Sequence, residues 1–251
     1  MTTRAITRRA LLAVAFLALA LPARADQPLL ADLTGHLIAI TTGFTGTSVV
    51  LFGATDGPGD IVAIVRGPER DSVVWQKRHL AGLWINGHSV TFANVPSYYA
   101  VFSNRKLADI APANAQAQSQ IGIGNLRIDP RDPQTRPDET TTFRAALIAE
   151  QKRAHLFGEY PGSVAFLGDR LFRATLNFPA NVPTGNYLVE VLLIRSGKVV
   201  SGQTTPLVIA ETGVGADVSE FAENNAALYG VGAVLGAALL GWLASLPFRN
   251  V

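Results

Sequence analysis

No charged residue occurs between Ala226 and Leu246, a run of 21 residues made largely of Leu, Val, Ala and Gly. A helix of about 20 residues, rising 1.5 Å per residue, matches a hydrocarbon core about 30 Å thick. Inside lipid every backbone N–H and C=O must be satisfied within the segment, so the run is expected to form one transmembrane helix. Tyr229 and Trp242 stand near its opposite ends, where amphipathic rings favour the interface. Glu220 and Glu223 precede it and Arg249 follows it. Gly232 and Gly236 form a Gly-x-x-x-Gly pair, and Ala237 and Gly241 a second small-residue pair. Gly232, Gly236 and Gly241 are therefore candidate helix-packing positions, set against the general frequency of Gly and Ala in such helices.

The other end of the chain reads differently. Arg4 to Arg9 form a basic stretch, Ala10 to Leu21 an apolar one, and Ala23-Arg24-Ala25 a small-x-small cleavage site, the pattern of a signal peptide over 1–25 with the mature chain starting at Asp26. The apolar stretch is about 18 Å long as a helix, too short to span. Thr7-Arg8-Arg9-Ala10-Leu11-Leu12 also has the outline of a twin-arginine signal, which leaves the export route open. Leader and C-terminal helix together imply a single-pass protein with an extracytoplasmic body and a cytoplasmic tail at 247–251.

Charge then narrows the partners. The formal charge of +2 comes from 21 basic and 19 acidic residues. Arg4, Arg8, Arg9 and Arg24 belong to the leader, which holds no acid; removing those 4 from 21 leaves 17 against 19, a mature charge of −2. Nothing here suits nucleic acid. The absence of cysteine removes disulfides and thiolate chemistry, and the only methionine is Met1.

Between the ends, short apolar-polar alternations are separated by turn residues. Strands are expected at 36–42, 48–52, 61–66, 72–78, 89–93 and 99–103, punctuated by Phe44-Thr45-Gly46, Asp56-Gly57-Pro58-Gly59-Asp60, Gly67-Pro68 and Asn86-Gly87. Their spacing predicts an antiparallel, immunoglobulin-like β-sandwich over 26–110. Residues 111–160 break the rhythm and read as a connector containing a helix, with Phe143, Leu147, Ile148 and Leu156 on its apolar face and Gly158 at its end. Strands return at 163–167, 171–178, 186–195 and 198–209, a second immunoglobulin-like β unit over 161–212, followed by a juxtamembrane linker at 213–225. The fold class is mainly β: two sandwich units, a helical connector and one transmembrane helix.

Catalytic patterns are missing. His36, His79, His88 and His155 show no metal-ligand spacing, although His79 and His88 flank a plausible hairpin. Gly162-Ser163 opens a strand rather than a nucleophile elbow, and Gly122-Ile123-Gly124 lacks the third glycine of a dinucleotide site. No cofactor and no catalytic residue is assigned. Arg66, Arg70, Lys77 and Arg78 surround the Gly67-Pro68 turn and are candidate oxyanion ligands, because guanidinium forks suit sulfonate-like groups. The competing reading has Glu69 and Asp71 neutralise them. Trp84-Ile85-Asn86 and Pro96-Ser97-Tyr98-Tyr99 read as core and turn segments.

Phe44-Thr45-Gly46, Leu51-Phe52-Gly53, Arg66-Gly67-Pro68, Gly82-Leu83-Trp84-Ile85-Asn86, Val95-Pro96-Ser97-Tyr98-Tyr99, Leu171-Phe172-Arg173, Pro179-Ala180-Asn181-Val182-Pro183, Leu228-Tyr229-Gly230 and Gly241-Trp242-Leu243-Ala244 together resemble the alphaproteobacterial transmembrane protein family Alph_Pro_TM, over nearly the whole mature chain. The resemblance implies a bacterial inner-membrane protein with its body in the periplasm and no assigned activity. Members are often encoded beside a sulfite-exporter-type permease, which implies a permease as partner. The reading that follows is a non-enzymatic membrane-anchored accessory or scaffold. A periplasmic receptor for sulfite or a sulfonate and an enzyme without a recognisable motif are the alternatives.

Overall fold

The computed structural model describes residues 28–80, 82–213, 222 and 225–245. The expected leader, its cleavage site, most of the juxtamembrane linker with Glu220 and Glu223, Leu246 and the tail at 247–251 lie outside them. Among the described residues thirteen strands form three sheets: β1 (Leu29–Leu33), β2 (Leu37–Ile40), β3 (Gly46–Thr55), β4 (Asp60–Arg66), β5 (Glu69–Leu80), β6 (Leu83–Pro96), β7 (Tyr99–Ser103), β8 (Asp129–Pro130), β9 (Phe157–Pro161), β10 (Val164–Leu167), β11 (Leu171–Pro179), β12 (Gly185–Arg195) and β13 (Lys198–Glu211). The helices are α1 (Leu107–Ile110), α2 (Ala113–Gln118), α3 (Pro137–Arg153) and α4 (Ala226–Ser245), with a 3₁₀ turn at Ile123–Asn125.

One sheet has the order β1-β3-β11-β10, the second β2-β13-β12-β4-β7-β9, and the third β5-β6-β8. All pairings are antiparallel except β2 with β13 and β7 with β9, at the two edges of the second sheet. The six-stranded sheet is the middle layer. On one face Ile61, Ala63 and Val65 of β4 and Val189, Val191 and Leu193 of β12 pack against Leu51, Phe172 and Leu176 of the four-stranded sheet. On the other face Val62, Ile64, Leu192 and Ile194 meet Val90 and Phe92 of β6, Ile110 of α1, and Phe143 and Leu147 of α3. Burial on both faces explains why β4 reads Ile-Val-Ala-Ile-Val without alternation.

The two expected β units are therefore not separate. β4, assigned by sequence to the first, lies between β7 and β12, and β12 was assigned to the second; β3 likewise pairs with β11. Element positions follow from local patterns, but pairing depends on which apolar faces meet, and alternation carries no address. The Asn86-Gly87 turn is also corrected: both residues lie inside β6, and the β5–β6 chain reverses after Leu80. The ladder shifts register between Trp75 and Lys77, and the stem of Arg78 crosses Gly87, where a Cβ would stand 2.6 Å from Arg78 Cδ.

β1, an edge strand, is closed by a side chain. The Gln203 amide donates to the Ala31 carbonyl at 2.7 Å, and its oxygen accepts from the Ala31 N–H at 2.9 Å. The amide thus replaces one peptide unit of a missing neighbour.

α4 has 20 residues, with no acid in its first turn and no base in its last. Leu228, Val231, Val234, Leu235, Leu239 and Leu240 along it are exposed. Its side chains are described as far as Trp242. Among the described residues no helix is long and apolar enough to cross a membrane.

Candidate functional site

The four cations singled out by sequence do not converge. Arg66 ends β4, where strand pairing sets it beside Glu190 of β12; its Nη1 donates to Glu190 Oε2 at 2.5 Å. Its guanidinium carbon lies 5.9 Å from the centre of the Tyr99 ring, and Nη2 reaches the Ser119 carbonyl at 3.5 Å. The fork is thus occupied internally. Arg70 donates to the Thr184 carbonyl at 3.1 Å. Lys77 and Arg78 stand further along the β5–β6 hairpin, with Lys77 Nζ donating to Asn86 Oδ1 at 2.6 Å.

Neutralisation also runs through other partners than those expected. Glu190 counters Arg66, and Asp71 pairs with Arg131 at 2.6 Å. Glu190 is more than a hundred positions from Arg66 in sequence, so only the strand register brings them together.

The Gly67-Pro68 turn itself is tied down. Gly67 N–H donates to the Tyr98 carbonyl at 2.8 Å and Ser97 N–H to the Pro68 carbonyl at 2.9 Å. A Cβ on Gly67 would stand 2.8 Å from Ser97 Oγ and 3.0 Å from Tyr187 Cε1, so the turn requires glycine for close approach. Around it Tyr98, Phe178 and Tyr187 form an aromatic cluster. Tyr98 OH donates to the Asn177 carbonyl at 2.9 Å and Tyr187 OH to the Pro183 carbonyl at 2.5 Å. Burial raises the pKa of Tyr98 and Tyr99 and pushes that of Tyr187 to about 12. These phenols are neutral structural donors.

The histidines are dispersed. His79 packs edge-on against Trp84, with ring centres 5.1 Å apart. His88 faces α3, with its ring on Phe143 and Nε2 3.7 Å from Glu139 Oε2. It lines a cleft of about 430 Å³ with Thr91, Arg131, Asp132 and Glu139. Among the described residues no group of three or more His, Asp or Glu side chains is placed to hold a metal.

Two apolar surfaces were not expected. On the outer face of the four-stranded sheet, register aligns Leu30, Ala54, Leu171 and Leu167 in one row, beside Phe52, over a cleft of about 590 Å³. The second is the far half of the β5–β6 hairpin. Trp84 is 71% exposed and Leu83 69%, with Trp75 and Ile85 also open. Trp84 and Ile85 were expected in the core; the hairpin carries them past the point where Val74 and Val90 reach it. The sequence signal was available in the lack of any acid between Asp71 and Asp109, around two tryptophans and a Lys-Arg-His run.

On α4, Gly232, Gly236 and Gly241 have open space where a Cβ would stand.

These features define a mainly β protein of several sheets followed by an apolar helix. The chain belongs to the family described as "Putative transmembrane protein (Alph_Pro_TM)", whose pattern matches residues 28–250. No curated protein matches the chain.

Proposed function

We propose that the chain is a non-enzymatic accessory or scaffold protein, anchored in the inner membrane by the uncharged run from Ala226 to Leu246, with its body on the periplasmic side. The observation that carries this reading is α4 itself, uncharged over 20 residues and exposing its large apolar side chains. As a single helix, the 21-residue uncharged run of the sequence would be about 30 Å long, the thickness of a hydrocarbon core. The transmembrane character given in the family's description supports it.

The body is read as one immunoglobulin-like sandwich rather than two. β1-β3-β11-β10 facing β13-β12-β4 reproduces the order A-B-E-D facing G-F-C. Tyr187, near the start of β12, donates back to Pro183 in the manner of a tyrosine corner at strand F. β5 to β9 and α1 to α3 then form an elaboration between strands C and D. The dispersal of Arg66, Arg70, Lys77 and Arg78 favours the scaffold over an oxyanion receptor.

Deleting residues 226–251 is expected to move the protein from the carbonate-resistant membrane fraction to the supernatant. A full-length chain released by carbonate would overturn the anchor. Purification of the full chain in mild detergent from its native membrane is expected to bring down a membrane protein such as a permease; recovery of the chain alone would overturn the scaffold role.

A further inference from the structure

The β5–β6 hairpin extends beyond the core as a two-stranded finger. From Trp75 to Leu80 it adds about 17 Å at 3.3 Å per residue. Register sets Trp75 opposite Ser89, Lys77 opposite Asn86, Arg78 opposite Ile85 and His79 opposite Trp84. Alternation then puts Trp75 and Trp84 on one face and Ile85 and Leu83 on the other. At the tip both faces carry exposed apolar side chains. The finger's charged side chains are Lys77 and Arg78, and no acid occurs between Asp71 and Asp109. Indole rings and basic side chains on a small apolar element are the composition of a membrane-interface anchor.

We propose that this finger inserts its tip into the interfacial region of an anionic lipid bilayer, with Trp84, Leu83 and Ile85 among the headgroups and upper acyl chains and Lys77 and Arg78 on the phosphates. The inference rests on the anchor reading above, which keeps the body beside the bilayer. The twelve residues between Gly213 and Ala226 reach at most about 40 Å when extended, so the body stays within range of the surface. The finger would be a second contact that fixes the orientation of the body above the membrane.

The three tryptophans of the chain, Trp75, Trp84 and Trp242, allow anchor and finger to be tested separately. Full-length chains retaining one indole each (W75F/W84F, W75F/W242F, W84F/W242F) are reconstituted into vesicles of phosphatidylcholine with phosphatidylglycerol that carry acyl-chain bromines. Trp242 is expected to be quenched by bromine as part of the anchor. Trp84 is expected to be quenched most by bromines near the headgroup, Trp75 less, and both to be shielded from aqueous iodide. K77Q/R78Q should lower the inserted-to-free ratio by about 30-fold, at roughly fivefold per cation, and salt should weaken Trp84 quenching without changing Trp242. Trp242 quenched while Trp84 remains open to iodide would overturn the finger and leave the anchor standing. Trp84 shielded from both bromine and iodide would mean that it is covered by protein, which also overturns the inference. Trp242 unquenched would remove the anchor and with it the basis of the proposal.

Discussion

Adding one methyl group at Gly53 is expected to destabilise the body by about 2 kcal/mol. Gly53 lies in β3 between Ala31 of β1 and Phe172 of β11. A Cβ there would stand 2.4 Å from the Leu30 carbonyl oxygen, 2.4 Å from Phe172 Cζ and 2.7 Å from Phe172 Cε1. Carbon contacts settle near about 3.5–4.0 Å, so a neighbour must move by roughly an ångström. If the Phe172 ring moves, a side chain only 1% exposed loses its packing; the ceiling is the about 3–5 kcal/mol of a buried Phe→Ala change. If β1 moves instead, the distortion costs about 1–3 kcal/mol. The entropy that alanine removes from the unfolded chain favours the variant by only about 0.5–1 kcal/mol. The balance, near 2 kcal/mol, lowers the midpoint by about 4–8 °C for a chain of this size. Far-UV circular dichroism melts of the full-length protein and G53A in mild detergent measure it. G53A/F172L should recover part of the loss if the ring dominates and none if the Leu30 carbonyl does. A G53A protein that melts at or above the parent would refute the close approach itself.

Three further outcomes are expected. Hydrogen bonds from the Arg105 side chain, then from Asn104, hold the Asp60 carboxyl below its ordinary value of 3.8. Its stabilising contribution is thus complete above about pH 4 and lost as pH falls through the depressed value; D60N should flatten the acid limb of a urea-midpoint profile, and an unchanged limb would exclude Asp60 as its source. L193A, at a fully buried position of β12, should cost about 2–5 kcal/mol, with far-UV and tyrosine near-UV signals melting together; two separated transitions would restore two independent units. His155 follows α3 at φ +57, where its N–H donates to the Lys152 carbonyl and that of Leu156 to the Gln151 carbonyl, so H155G should raise stability by about 0.5–1 kcal/mol in a thermal melt.

Much of the secondary structure was legible because its signals are local. β7 was read at its observed bounds, β12 within one residue, and Phe143 and Leu147 do face the core from α3. β1 was missed beside the expected cleavage site, although Leu29, Ala31 and Leu33 alternate inward. β9 was absorbed into the end of the preceding helix. Exposure misled most at Trp84 and Ile85, since an apolar side chain looks alike in a core and on a protruding hairpin. Of the four candidate cations, sequence proximity grouped residues that the strands separate: Arg66 is held by Glu190, which no spacing rule reaches, while Lys77 and Arg78 ride on the finger.

The position of β4 has a consequence for synthesis. Its neighbour β12 does not exist until residues 67–184 have been made, about 6 to 24 s at a ribosomal rate of about 5–20 residues per second. Throughout that interval Ile61-Val62-Ala63-Ile64-Val65 is an uncharged, strongly β-forming segment with at least one flank open, the kind that seeds aggregation. Asp60 and Arg66 close it at either end as gatekeepers. In the finished protein the same two side chains are bound to Arg105 and Glu190, so the charges that keep the nascent strand soluble become the ones that fasten its ends.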